Sequence, residues 1–174
     1  MALKVWRFFP LLFTALLLGL TFSHVMEMPA KMQYPASLYL TLHRTLYLTY
    51  GTWPGILVQF GAIIATIVLA FLVRSRRPAF GLTLLAAFCL VVEFFGVWVP
   101  IIAPANAEMK RWAVEAAPAN WIRWRNQWEY AHAARFVLDL IALSALVISV
   151  LRETPEAVSA QAATSRPEPQ EKAA

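Results

Sequence analysis

Charge is scarce in this chain. Only 14% of its 174 residues are Asp, Glu, Lys or Arg, and 60% are hydrophobic. An ordinary soluble domain is roughly a quarter charged and half apolar, so this composition excludes one. Cysteine is nearly absent as well. The lone Cys89 lies inside an apolar block, so no intrachain disulfide can form and the redox compartment leaves no trace. GxSxG, P-loop, GxGxxG and CxxC sequences are all missing, which removes support for hydrolase, nucleotide and dinucleotide readings. There is no internal repeat of useful length and no soluble domain. The basic excess, with a pI near 9.7, has no soluble patch to occupy, and points to anionic lipid rather than nucleic acid.

Apolar sequence is abundant, and the mean hydropathy is +0.58. It is concentrated in residues 5–25, 54–73, 80–102 and 131–151. Each block holds roughly 20 residues, what a helix needs to cross ~30 Å of hydrocarbon at ~1.5 Å per residue. The predicted fold is all-α, a four-helix transmembrane bundle over residues 1–151. Residues 152–174 lack aromatics and apolar periodicity, and are expected to form a disordered cytoplasmic tail. The first block opens like a signal peptide with MALKVWR. Its apolar run is too long, however, and no A-x-A-like site follows before His24, so a retained helix is expected. Pro54 suits the first turn of the second helix, where its missing N–H costs little. The Tyr-dense stretch before it reads as an interfacial aromatic belt, with Trp112, Trp121, Trp124 and Trp128 read the same way in preference to a stacking pocket.

Basic residues near the helix ends set the orientation. One side collects Lys4, Arg7, Arg74, Arg76, Arg77 and Arg152; the other has Lys31, Arg44, Lys110, Arg111, Arg123 and Arg125, spread over two longer loops. The compact RSRR turn at residues 74–77 is the strongest single signal. It predicts a multi-pass plasma (inner) membrane protein with both termini cytoplasmic.

With that orientation, every helix carries a polar residue in its outer half. His24 and Glu27 lie at the outer end of the first. Gln59 lies ~8 Å into the second, Glu93 ~10 Å into the third, and Asp139 ~15 Å into the fourth, below Glu129 and His132. The inner halves offer only the hydroxyls Thr14, Thr66, Thr83 and Ser144. On the fourth helix Arg125, Glu129, His132, Arg135 and Asp139 fall within an arc of roughly 120°. A charge at depth costs several kcal/mol unless paired or wetted, so that face must look inward. Glu93 shares its helix face with Ala86, Cys89 and Gly96, small residues that admit a close partner, and it too is expected to face the bundle, near His24 or His132. The sum is a polar cavity in the outer half that opens outward.

The sequence W-x-x-x-W-E-x-x-H-x-x-R from Trp124 to Arg135 resembles the start of the last helix in the anthrone oxygenase-like family of small four-helix membrane proteins. P-A-N at Pro104 to Asn106 resembles that family's P-x-N, and His24-x-x-Glu27-x-Pro29 its H-x-x-E-x-P. These anchors span positions 24–135. The second helix matches no motif, and the RSRR turn is not a family mark. The resemblance implies at most a membrane oxygenase that converts anthrones to quinones with molecular oxygen; most members have no assigned reaction.

Three readings of the polar residues stay open. In the first they are interfacial ion pairs: Glu129 with Arg125, His132 with Asp139, and Glu93 with an Arg or His. In the second they form a metal-free pocket for a small apolar aromatic substrate. There His132 is the base, because imidazole titrates near neutrality, oriented by Asp139 or Glu129, and His24 is the alternative. Arg125 or Arg135 would stabilise a developing phenolate, and Glu27, Gln59, Glu93, Asn106 and Trp128 would complete the pocket. In the third and least favoured, Glu129-x-x-His132, His24-x-x-Glu27 and Glu93 hold a metal. No cofactor is expected, and oligomeric state leaves no mark. His43 reads as an interfacial histidine, Asn106 as a cap or loop hydrogen bond, and Cys89 as inert packing. A non-catalytic binder or transporter and a structural subunit are the rival classes, although four helices without an inverted repeat suit alternating access poorly.

Overall fold

The computed structural model describes residues 2–51 and 53–153. Helix α1 (Ala2–Lys31) leads through a short turn into α2 (Ala36–Leu42), which starts after an extended Pro35. The chain widens into a π-turn at His43–Tyr47, tightens to α3 (Leu48–Gly51), and enters α4 (Trp53–Leu72), with Pro54 in the first turn as expected. Helix α5 (Arg77–Val91), a long π-stretch (Val92–Ile102) and α6 (Ala103–Met109) join into one rod. A loop carrying the isolated bridge between Ala113 and Ala116 precedes α7 (Trp121–Glu153). Among the described residues there is no strand. The predicted tail falls at residues 154–174, outside the described residues, while Arg152 and Glu153 continue the last helix.

Four rods are long and apolar enough to cross a membrane: Leu3–Lys31, Trp53–Leu72, Arg77–Met109 and Trp121–Glu153. The first packs on the second and fourth, and the third on the second and fourth, closing a four-helix ring. The first, third and fourth exceed the apolar blocks. At 33 residues a rod is ~50 Å long, well beyond ~30 Å of hydrocarbon. Most of the excess of the first and third lies at the loop end, where the connections 32–52 and 110–120 also lie.

Two apolar clusters hold the ring together. The one nearer the termini is built from Leu17, Ala62, Leu69, Ala86, Leu90 and Leu146, among others, with alanines letting the helices close on one another. The loop-end cluster contains Tyr39, Leu40, Ile102, Met109 and Trp128. On α7 the polar residues His132, Arg135 and Asp139 lie between the two. Of the inner-half hydroxyls Thr14, Thr66 and Thr83 are buried and Ser144 is exposed; Ser149 is buried as well and donates to the Ala79 carbonyl at 3.4 Å. At the termini end Glu153 joins Arg7 and Arg76.

The π-stretch changes one expected face. Ala86, Cys89 and Glu93 are buried, yet Gly96 is exposed. Bonds from i to i+5 make a wider turn than the α-helix, so beyond Glu93 the inward positions become Phe94, Trp98 and Ile102, four apart. The close-approach glycine is Gly61 instead, where a Cβ would lie 2.9 Å from the Phe13 ring.

Candidate functional site

The five ionisable residues of the inward arc on α7 are buried: Arg125, Glu129, His132, Arg135 and Asp139 are 8%, 1%, 5%, 7% and 0% exposed. They serve three separate places. Arg125 caps the far end of α1 by donating to the Met32 carbonyl at 2.9 Å, and also bonds Asn126; it stands outside the cavity described below.

Glu129 belongs to a second group, centred on Lys31. This lysine is 2% exposed. Its ammonium lies 3.1 Å from Glu129 Oε2, 3.6 Å from Glu27 Oε2 and 3.5 Å from His24 Nδ1. It also sits 4.7 Å over the Tyr47 ring and 5.0 Å over the Trp128 ring. Tyr39 donates its hydroxyl to Glu129 at 3.0 Å and Tyr47 donates to Glu27 at 2.6 Å. The expected Glu129–Arg125 pair does not form, because Arg125 is already engaged at the α1 end. Burial first, and then the Glu129 carboxylate, push the Tyr39 hydroxyl well above its ordinary range. The proton therefore stays on the tyrosine side of that bond.

Beside it, Asn106 Oδ1 accepts from Trp128 Nε1 at 2.8 Å and from His43 Nε2 at 2.9 Å. An indole nitrogen only donates, which fixes the amide oxygen, and with it the Nε2–H form of His43. His43 is therefore not interfacial: it is 0% exposed. Burial, opposed by the Asn106 bond, holds its imidazole down at about 4. Trp128, 2% exposed, and the tyrosines Tyr39 and Tyr47 are likewise buried rather than members of a headgroup belt.

The third group lies deeper. Arg135 pairs with Glu93 and donates to Gln59 Oε1 at 3.0 Å. Asp139 accepts from Thr21 at 2.9 Å. Glu93 thus faces the interior, as expected, and of the two partners that ion pairing allowed, an Arg or a His, it takes the arginine. Asp139 is engaged by Thr21 rather than by His132. Neither nitrogen of His132 bonds any group among the described residues; its ring lies 4.1 Å from the His24 ring and 4.2 Å from that of Trp128, centroid to centroid.

Between these groups is a cavity of about 80 Å³. Of the residues singled out from the sequence, His24, Gln59, Asn106, Trp128, His132 and Arg135 line it; Glu93 and Asp139 stand behind Arg135, and Glu27 and Glu129 belong to the Lys31 group. Sequence reasoning missed Lys31, Tyr39, Tyr47, Thr21, Phe94 and Trp98. Phe94 and Trp98 stack at 5.3 Å as a flat apolar wall. Lys31 was within reach: His24, Glu27 and Lys31 are spaced i, i+3, i+7 once α1 is carried to its full length. So was the four-residue spacing Tyr39, His43, Tyr47. Among the described residues no three His, Cys, Asp or Glu side chains converge as metal ligands, since Glu129 turns away from His132 to meet Lys31.

Fold and site together define a multi-pass membrane protein: a four-helix bundle with a buried polar layer and a small cavity in its loop-end half. Comparison with protein-family models, curated proteins and solved structures gives no match.

Proposed function

We propose that the cavity binds a small, apolar, aromatic molecule and that His132 takes a proton from it, opening a cofactor-independent oxygenation of an anthrone-like substrate. The observation that carries this reading is His132 itself, a buried imidazole in the cavity wall with neither nitrogen bonded among the described residues. A general base needs a free lone pair within hydrogen-bond reach of the proton it removes. Loss of a proton from a methylene between two aromatic rings leaves a carbanion. Dioxygen adds to it, and loss of water leaves the ketone, so one CH₂ and one O₂ become one C=O and one H₂O. Arg135, in the same wall, is placed to hold the negative oxygen of the intermediate. The resemblance of residues 24–135 to the anthrone oxygenase-like family supports the same chemistry. His24 is the alternative base. Because Glu129 and Asp139 are engaged elsewhere, the contacts that orient His132 are the His24 and Trp128 rings.

Binding without chemistry is the second reading, and one observation favours it: Arg135 is already engaged by Glu93 and Gln59. One experiment separates the two. His132→Gln is expected to lower turnover of anthrone by roughly 10² to 10⁴ while the melting temperature in detergent and the affinity for anthrone persist. Unchanged turnover in stable variant protein would end the base reading. Saturable anthrone binding with no turnover by the wild-type protein would leave the second.

The partners proposed are bilayer lipid and the small apolar substrate, with no nucleic acid. The RSRR turn supports a plasma (inner) membrane protein with both termini in the cytoplasm. A reporter fused after Leu151 and active only on the outer side would refute that orientation.

A further inference from the structure

The cavity is covered on its loop side. Lys31, Tyr39, His43 and Glu129, 2%, 2%, 0% and 1% exposed, close over it with Tyr47 and Trp128, tied by the Tyr39–Glu129, Tyr47–Glu27 and His43–Asn106 bonds. Breaking through this roof means separating Lys31 from two carboxylates. The sides differ. The deep wall is buried throughout, at Thr21, His24, Gln59, His132 and Arg135. Leu20 on α1, Leu48 and Gly51 on α3, and Gly55 and Ile56 at the start of α4 line the cavity but are only half-buried. None of these five carries a polar side chain. Around them are open apolar residues, Leu16 at 49%, Leu46 at 46%, Trp53 at 77% and Leu57 at 69%, and the exposed Thr45 and Thr49, whose hydroxyls bond back to the carbonyls of Thr41 and Thr45. In a bundle that crosses a membrane, such a surface faces lipid tails and the headgroup boundary, where a tryptophan is at home.

From this geometry we infer that the cavity is loaded sideways from the bilayer, through a portal between α1 and the α3–α4 corner whose threshold is Gly51. The inference rests on reading the cavity as a binding site, and it narrows the ligand to molecules that dissolve in the membrane. Water-soluble ions and sugars meet the polar roof; an apolar aromatic reaches the portal by partition into the bilayer. The cavity of about 80 Å³ is smaller than the ~150 Å³ that admits one benzene. An anthrone-like ligand has three fused rings, so its binding requires the cavity itself to enlarge as well as the portal to widen. A Cβ at Gly51 meets nothing within 4 Å beyond its chain neighbours, so a small side chain such as cysteine is accommodated there.

The test places a thiol at the threshold. Gly51→Cys is made in a Cys89→Ala background, reconstituted in vesicles, and exposed in separate samples to N-phenylmaleimide and to a membrane-impermeant sulfonated maleimide present on both sides. Ser75→Cys in the exposed turn between α4 and α5 serves as the water-facing control. The portal predicts that Gly51→Cys reacts at least tenfold faster with the apolar reagent than with the charged one, relative to Ser75→Cys. It also predicts that the labelled protein keeps its melting temperature and loses anthrone binding. Equal reaction with both reagents would place the threshold in water, and reaction with neither would close it; either overturns the portal. So does full anthrone binding by labelled protein. Labelling does not depend on turnover, so an absence of anthrone oxidation in the unlabelled wild-type protein counts against the oxygenase reading alone.

Discussion

Lys31 carries a long charged side chain into a place with almost no exposed surface, and two carboxylates keep it there. Breaking a buried pair by removing one partner costs about 3–5 kcal/mol, because the other charge is left uncompensated. Lys31→Met should therefore lower the melting temperature in detergent markedly, and Glu129→Gln added to it should recover part of the loss. A double variant no more stable than the single would show that the pair is not what holds Lys31. His43 gives a pH signature. Its folded imidazole is held down at about 4 against 6.5 in the unfolded chain. The unfolded state thus binds a proton that the folded state refuses between those values. Stability from this residue is whole above pH 6.5, falls as pH drops toward 4, and levels below that; the full effect is about 3 kcal/mol. His43→Gln should flatten that part of the wild-type curve of melting temperature against pH, and parallel curves for the two proteins would contradict it.

At the scale of elements, the long runs were legible in the sequence and the wide turns were not. Four blocks of sufficient length predict four spans, and the inward arc on α7 follows from a regular period of 3.6 residues. The same regularity misplaced Gly96, because the π-stretch from Val92 lengthens each turn and rotates everything after Glu93. The roof went unread for another reason. Tyr39, His43 and Tyr47 recur every four residues, a helical spacing, but a stretch rich in tyrosine read as a belt gave no sign that this face turns inward. The two glycines make this testable. Gly61→Ala drives a methyl to 2.9 Å from the Phe13 ring and should lower the melting temperature. Gly96→Ala, exposed and with its nearest neighbour at an ordinary 3.5 Å, should change stability by no more than about 0.5 kcal/mol. The reverse order would mean that α5 continues as a regular helix through Gly96.

Over the whole molecule, one-sided polarity along the bundle was readable because burial in lipid makes every interior charge conspicuous against its neighbours. The partners of those charges were not, since Lys31 meeting Glu129 and Thr21 meeting Asp139 are contacts between opposite ends of the chain, and spacing along one helix cannot choose among them. The same pairings carry a consequence for how the protein is made. Three polar side chains of the first span, Arg7, Thr21 and Lys31, have their partners on the fourth, at Glu153, Asp139 and Glu129. The first span leaves the ribosome before any of those partners exists. Those contacts of the first span are therefore completed last, when the fourth helix arrives. A chain interrupted before Glu129 leaves Lys31 with Glu27 of its own helix as its carboxylate partner and without the buried one that the fourth span supplies.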